Sequence, residues 1–303
     1  MLLCVERLHL AMKDPLFSTF FSKWKELIAP SDVCLVALSG GIDSMALYHL
    51  ATEAGKLTGN MVHAVHVDHR MREESSEQAL LLSKWTGCEV LALSGAAPEK
   101  DIENQLRIQR YDAIRKVYEN LGATVLLTGH HADDQVETVL KRIFEGASLV
   151  RLGGIDQELS LFEMNVKRPL LSLYKKDLEA YLSKKRLPHI EDSSNCDPLF
   201  TRNRIRNDIL PYLEQSFGKN IKNNLLALSE EARLMRGKSV GKKEVKLEEL
   251  QQLNEAELHH HIVTWYPKLT RSEKEVLRSL IRQKKYGKQV QGIVVSKNGL
   301  IES

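Results

Sequence analysis

Apolar positions along the chain follow two alternating rhythms, short unbroken runs and longer stretches spaced by three and four residues. From about residue 6 to 29, Phe17, Phe20, Phe21, Trp24, Leu27 and Ile28 share one helical face, which Pro30 ends. Val33 to Leu38 is a short apolar run that predicts a buried strand, and Met45 to Leu50 returns to helical spacing. The alternation then repeats, with strands over 61–67, 88–93 and 123–128, helices over 73–85 and 102–121, another helix, and a weaker strand ending near 167–171. This order predicts an α/β fold with a doubly wound parallel sheet, whose ligand sits outside the carboxyl ends of the strands at the switch in strand order.

Beyond Leu171 the pattern changes. Tyr174 to Arg186 reads as a basic amphipathic helix, and 191–207 as a polar segment passing into a short helix near Pro211. From about Phe217, leucines at helical spacing predict a small helical region, and 290–301 predicts a hairpin with Asn298-Gly299 as its turn. The expected division is a larger domain over 1–215, including the amino-terminal helix, and a small, mainly helical domain over 216–303.

Three polar strings follow predicted strand ends, at 39–44, 66–72 and 129–137, and their convergence marks the expected site. In the first, Ser39-Gly40-Gly41-Ile42-Asp43-Ser44, paired glycines allow a tight turn into a helix start, where free N–H groups and the helix dipole favour an anion. A Walker loop would place a lysine where Asp43 stands, so a phosphate here needs Mg²⁺ between itself and Asp43. The simpler alternative makes Asp43 a helix cap. In the third string, Asp134 and Glu137 lie three apart and project to one side of a helix start, where carboxylates suit a cation or serve as caps. His63, His66, Asp68, His69, His130, His131, Asp133 and Asp134 suggest a transition-metal centre, but His63 and His66 face opposite sides of a strand. Arg107, Arg110 and Tyr111, and the alternating Arg202, Arg204 and Arg206, either form solvated faces or clamp phosphate.

Composition narrows the class only slightly. With 43 basic against 40 acidic residues, the net charge of +3 predicts no polyanion partner by itself. Four cysteines without a C-x-x-C pair argue against a zinc ribbon or disulfide framework and suit a reducing cytoplasm. The sequence shows no signal peptide and no apolar run of bilayer length.

Ser-Gly-Gly-Ile-Asp-Ser resembles the pyrophosphatase (PP) loop of the N-type ATP pyrophosphatase superfamily, whose fold is adenine nucleotide α-hydrolase-like and Rossmann-like. Together with His66-Val-Asp-His-Arg-Met-Arg72, Arg107-x-x-Arg110-Tyr111, Gly129-His-His-Ala-Asp-Asp-Gln-Val-Glu-Thr138, Arg168-Pro-Leu-Leu171 and Glu191-Asp…Arg202-Asn-x-Ile-Arg206, the chain resembles the bacterial tRNA(Ile)-lysidine synthetases. That resemblance implies a ligase that couples free L-lysine to C2 of the wobble cytidine of an isoleucine tRNA with anticodon CAU, using ATP and Mg²⁺. It implies ATP on Ser39, Gly40, Gly41, Ile42, Asp43 and Ser44, with Asp43 holding Mg²⁺. Asp134 and Glu137 are then expected on the lysine ammonium, and His130, Arg110 and Arg202 on phosphate or adenylated cytidine. Arg107, Arg204 and Arg206 are expected on RNA. Oligomeric state stays open, a homodimer included. A tRNA thiolase, an NAD or GMP synthetase and a catalytically silent RNA-binding module are the alternatives. The thiolase needs reactive cysteines, the synthetases leave the basic segments unexplained, and the silent module leaves the intact loop without a purpose.

Overall fold

The computed structural model describes residues 13–70, 74–93, 102–190, 201–218, 220–237, 247–266, 269–283, 285, 287–291, 293–296 and 299–302. The chain divides into two compact units, residues 1–137 with 155–209, and residues 138–154 with 210–303.

The first unit is built on a six-stranded sheet. Helix α1 (Pro15–Leu27) is capped by the Asp14 carboxylate, and buries Phe17, Phe20, Phe21, Trp24 and Leu27. The sheet and its helices follow as β1 (Val33–Ala37), α2 (Ile42–Thr58), β2 (Met61–Asp68), α3 (Ser75–Thr86), β3 (Glu89–Ala92) and α4 (Ile102–Asn120). Then come β4 (Val125–Leu127), α5 (Ala132–Phe144), β5 (Glu158–Leu161), β6 (Met164–Lys167), α6 (Lys175–Lys185) and the short α7 (Thr201–Arg204), which passes into a π turn over Ile205–Ile209. Strand order is β3-β2-β1-β4-β6-β5, and every neighbouring pair is parallel except β5 with β6. The sequence pattern missed β5. Its turn to β6 places Phe162 and Glu163 at φ 49° and 64°, where glycine or asparagine is the usual signal.

Alternation along β1 sends side chains to two cores. Cys34 and Val36 join Phe20, Trp24, Met45, Leu47 and Leu50 on one face, while Leu35 joins Val65, Ile114, Leu126 and Val166 on the other. Each such side chain contributes about 1.5–3 kcal/mol when fully buried. The chain runs outward from β1 to β3 and returns beside β1 as β4. The carboxyl ends of β1 and β4 therefore open onto one crevice, the place where such sheets bind ligands.

The second unit contains the end of α5, a 3₁₀ turn over Leu149–Gly153, α8 (Leu210–Phe217), α9 (Ile221–Gly237), α10 (Leu247–Gln252), α11 (Glu255–Trp265) and α12 (Arg271–Arg282). Capping boxes at Asn254 with Glu257 and at Thr270 with Glu273 start α11 and α12. The expected hairpin is a three-stranded antiparallel sheet of β7 (Gln289–Val290), β8 (Ile293–Ser296) and β9 (Gly299–Glu302). Gly299 pairs with Ser296 as the first residue of β9, not as a turn residue. Leu250, Leu258, Ile262, Leu277, Ile281 and Val295 form this unit's core. Among the described residues no helix is long and apolar enough to cross a membrane.

Candidate active site at the switch point

The loop after β1 is folded by its own residues. Gly40 has φ +92°, and a Cβ there would meet Ile190 Cδ1 at 2.8 Å and Leu82 Cδ1 at 3.0 Å, so only glycine fits. The Ser44 hydroxyl accepts from the Ser39 and Gly40 N–H groups at 3.2 and 3.0 Å and donates to the Gly41 carbonyl at 3.0 Å. Gly41 is the N-cap of α2 and no side chain caps it, so Asp43 is not a helix cap. The first-turn N–H groups have no acceptors within the helix and point over the loop, where the dipole also favours an anion.

The Asp43 carboxylate turns toward His131, with Oδ2 3.6 Å from Nε2, a distance of an ion pair and not a hydrogen bond. Burial raises the Asp43 carboxyl, but His131, Lys175 and Arg206 outweigh it and hold the group below its ordinary value. Burial likewise pushes His131 down, but Asp43, Asp134 and Asp133 outweigh it and raise the imidazole. Asp43 Oδ1 is buried without a hydrogen-bond partner. An anionic oxygen left unmatched beside a turn whose N–H groups favour an anion fits a hard divalent cation. Among the described residues no three His, Cys, Asp or Glu side chains are grouped to hold a metal ion by themselves.

The loop after β4 meets the first at Gly129, where a Cβ would lie 3.2 Å from the Asp43 backbone carbon and 3.3 Å from the Ser44 nitrogen. Three carboxylates beyond it have three different tasks. Asp133 accepts from the Lys175 N–H at 2.9 Å and so starts α6. Asp134 uses Oδ2 to accept from the His131 N–H at 3.0 Å, and Oδ1 to accept from Arg202 Nη2 at 2.7 Å. Glu137, 2% exposed, accepts from Arg202 Nε at 2.7 Å and Arg206 Nε at 2.6 Å. Capping and charge pairing thus coexist at Asp134, and Glu137 has both oxygens on guanidinium groups.

The segment carrying these arginines is helical over Thr201–Arg204 and continues as a π turn over Ile205–Ile209. Arg202 and Arg206, four apart, reach the same carboxylates, while Arg204 between them is exposed. Arg206, expected on RNA, pairs with Glu137, which with Asp134 raises its pKa against the effect of burial. Arg110 donates from Nε to His69 Nε2 at 3.2 Å, and Arg107 lies over the Tyr111 ring at 5.4 Å. Residues 71, 72 and 191–200, parts of two expected motifs, lie outside the described residues.

Two clefts of about 650 and 430 Å³ open here and share Ser39, Asp43, His66, Val67, Asp134 and Arg202 as lining. The larger adds Lys175, Asn203 and Arg206, and the smaller adds Arg110, Gly129 and His130. Neither Arg107 nor Arg204 lines either cleft. Lys175 was missed as a site residue, because it read as one charge of a basic helix face. His131 stood in the candidate metal cluster, but its pairing with Asp43, far away in sequence, was not read.

A loop of this form over a switch point, facing a clustered acid–base set, defines a class. The PP-loop domain model matches residues 16–213, and the chain belongs to that family. Within it the chain groups with the tRNA(Ile)-lysidine synthases: it is 36% identical to that of Chlamydia caviae over 231 residues, covering 74% of this chain and 70% of that one. It is also 38% identical to the tRNA(Ile)-lysidine synthase of Chlamydia pneumoniae over 204 residues, covering 65% of this chain and 63% of that relative, less than two thirds of its length. In fold it is similar to the U34-tRNA thiolase NcsA of Methanococcus maripaludis, described with its [4Fe-4S] cluster, at a TM-score of 0.57 and 17% identity, covering 72% of this chain and 79% of that one.

Proposed function

We propose that the chain ligates lysine to C2 of the wobble cytidine in a CAU-anticodon isoleucine tRNA, forming lysidine with ATP as the activating substrate. The observation that carries this reading is the meeting of the β1 loop and the 129–137 string around Asp43, Asp134 and Arg202, with the kinship to tRNA(Ile)-lysidine synthases beside it. In the first step cytosine O2 attacks the α-phosphorus of ATP and the bond to pyrophosphate breaks. Residues 39–44 hold the phosphates by their N–H groups, and Asp43 would hold Mg²⁺, which would supply charge neutralisation for the pyrophosphate. Arg110 and Arg202 bind the phosphate of the adenylated base.

In the second step lysine Nζ bonds to C2, the C2–O2 bond breaks and AMP leaves with that oxygen. The lysine ammonium takes the position of Arg202 against Asp134 and Glu137, since Arg202 is half exposed and the more easily displaced of the two guanidinium groups. The incoming amine gives up its proton before attack, and Asp134 and Glu137 orient it. Arg107 and Arg204, exposed and outside the clefts, suit the tRNA backbone. The compartment is the cytoplasm, where tRNA, ATP and free lysine occur together.

A thiolase needs a reactive thiol. Of the two cysteines among the described residues, Cys34 is fully buried and burial pushes it up to about 12, and Cys88 is buried and raised as well. The decisive assay supplies radiolabelled lysine, ATP and Mg²⁺ to a CAU-anticodon isoleucine tRNA transcript beside a methionine tRNA. ATP-dependent label in the first tRNA alone is expected. Pyrophosphate release without label would keep the activation and discard lysine as the nucleophile.

A further inference from the structure

We propose that His130 serves the reaction as a neutral hydrogen-bond donor through Nε2, and that Arg168 is the positioning residue that fixes this tautomer. The inference rests on the function proposed above and assigns the acid–base state of one of its side chains. His130 follows β4 and lines the smaller cleft with Arg110 and Asp134. Its Nδ1 lies 3.3 Å from Arg168 Nε and 3.1 Å from the Thr128 hydroxyl. A guanidinium has donors only and keeps its charge in proteins, so the ring nitrogen facing it must present its lone pair. The ring proton therefore sits on Nε2, the nitrogen left for the cleft.

Arg168 is well placed for this task. It is 5% exposed, its Nη1 donates to the Asp156 carbonyl at 2.5 Å, and its own N–H donates to the Gln157 carbonyl at 2.9 Å. The guanidinium is thus tied to the β5 side of the sheet while its Nε is aimed at the imidazole. A second proton on His130 would have to displace that donor. Burial and the Arg168 charge both lower the imidazole, to about 4. His130 is consequently unsuited to take a proton from lysine and suited to donate to an anionic oxygen. In this cleft that oxygen is a phosphoryl oxygen of the adenylated base, where charge builds as pyrophosphate and then AMP depart.

The test uses the full chain with tRNA transcript, ATP and lysine. In His130→Gln the amide nitrogen stands close to Nε2, so it donates but cannot act as a base. This variant should keep kcat within about tenfold of wild type, while His130→Ala, with no donor, falls by roughly 10²-fold or more. Arg168→Gln should lower kcat by about tenfold with little change in the KM for tRNA. It should cause no further loss in the His130→Gln background, because an amide has no tautomer to fix. A His130→Gln enzyme as inactive as His130→Ala would overturn the proposal, as would an Arg168→Gln loss of equal size in both backgrounds. Replacing a buried arginine risks unfolding, so ¹⁵N NMR of ring-labelled histidine in the unmutated chain gives a second measurement. Nδ1 at the unprotonated shift and Nε2 at the protonated shift from neutral pH down to about pH 5 are expected. A proton on Nδ1, or a ring charged at neutral pH, would overturn the assignment. The spectrum reads the tautomer even if wild type transfers no lysine, which separates this inference from the function it rests on.

Discussion

The two strand ends that meet at the switch point are built by opposite means. The loop after β1 is made of backbone: one serine hydroxyl ties together three residues within five positions of itself, and glycine supplies the one left-handed angle. The loop after β4 is made of side chains whose partners are distant, Arg202 and Arg206 lying 65 and 69 residues from Glu137 and Arg168 lying 38 from His130. Backbone groups suit a ligand whose charge is fixed, such as polyphosphate, since N–H groups neither titrate nor move away. Exchangeable ion pairs suit a second substrate that arrives as a cation and must lose a proton. The contrast predicts that damage to the first end abolishes activation, whereas damage to the second separates activation from transfer.

The largest effect is expected at Asp43. Asp43→Asn should lower ATP-dependent pyrophosphate release by about 10³-fold while the far-UV spectrum stays that of wild type. Turnover within tenfold of wild type would mean that its unmatched oxygen holds no cation. Glu137→Ala comes next and is a stability effect. It leaves Arg206 with the longer 3.5 Å pairing to Asp134, and should lower unfolding free energy by about 3 kcal/mol in urea titrations. Ser44→Ala should cost about 1–3 kcal/mol, because it leaves the buried Gly40 N–H without its acceptor.

A smaller effect distinguishes the two ends by pH. His130 has its folded pKa depressed to about 4 by burial, Arg168, Arg202 and Arg107 against the pull of Asp134. Between that value and 6.5 the unfolded chain binds the extra proton, so stability falls as pH drops through this window and returns as pH rises. At pH 5 the loss relative to pH 7.5 is about 2 kcal/mol, and His130→Gln should lack it in thermal or urea unfolding. Equal pH dependence in both proteins would contradict the buried, neutral imidazole. The smallest effect belongs to Arg204. Arg204→Gln should leave lysine-dependent kcat near wild type and reduce the salt slope of tRNA binding by about 1, a change seen in binding titrations at several salt concentrations.

The same contrast governs what the sequence reveals. The β1 loop is legible because its hydrogen bonds join neighbours, so Ser-Gly-Gly-Ile-Asp-Ser carries both its shape and its chemistry. The alternation of strands and helices is equally local, and the sheet follows from it. The β4 end is only half legible. Asp134 and Glu137 are recognisable as a carboxylate pair, but nothing local says that two arginines already occupy them. Arg202, Arg204 and Arg206 read as alternating phosphate contacts because the segment lacks an apolar stripe, although a helical turn puts only the first and third on the carboxylates. Edge strand β5 escaped for a related reason, since its turn uses Phe162 and Glu163 at positive φ.

The most direct test of the division between the two ends is exchange of labelled pyrophosphate into ATP, with tRNA present and lysine absent. It is run on wild type, Asp43→Asn and Asp134→Asn, with lysine incorporation measured in parallel. Asn at 134 keeps an oxygen for the His131 N–H, so the start of α5 is preserved. The account predicts that Asp134→Asn exchanges pyrophosphate nearly as wild type does and incorporates no lysine, while Asp43→Asn does neither. Loss of exchange to the same extent in both variants would contradict it, and would make the two strand ends a single activation site.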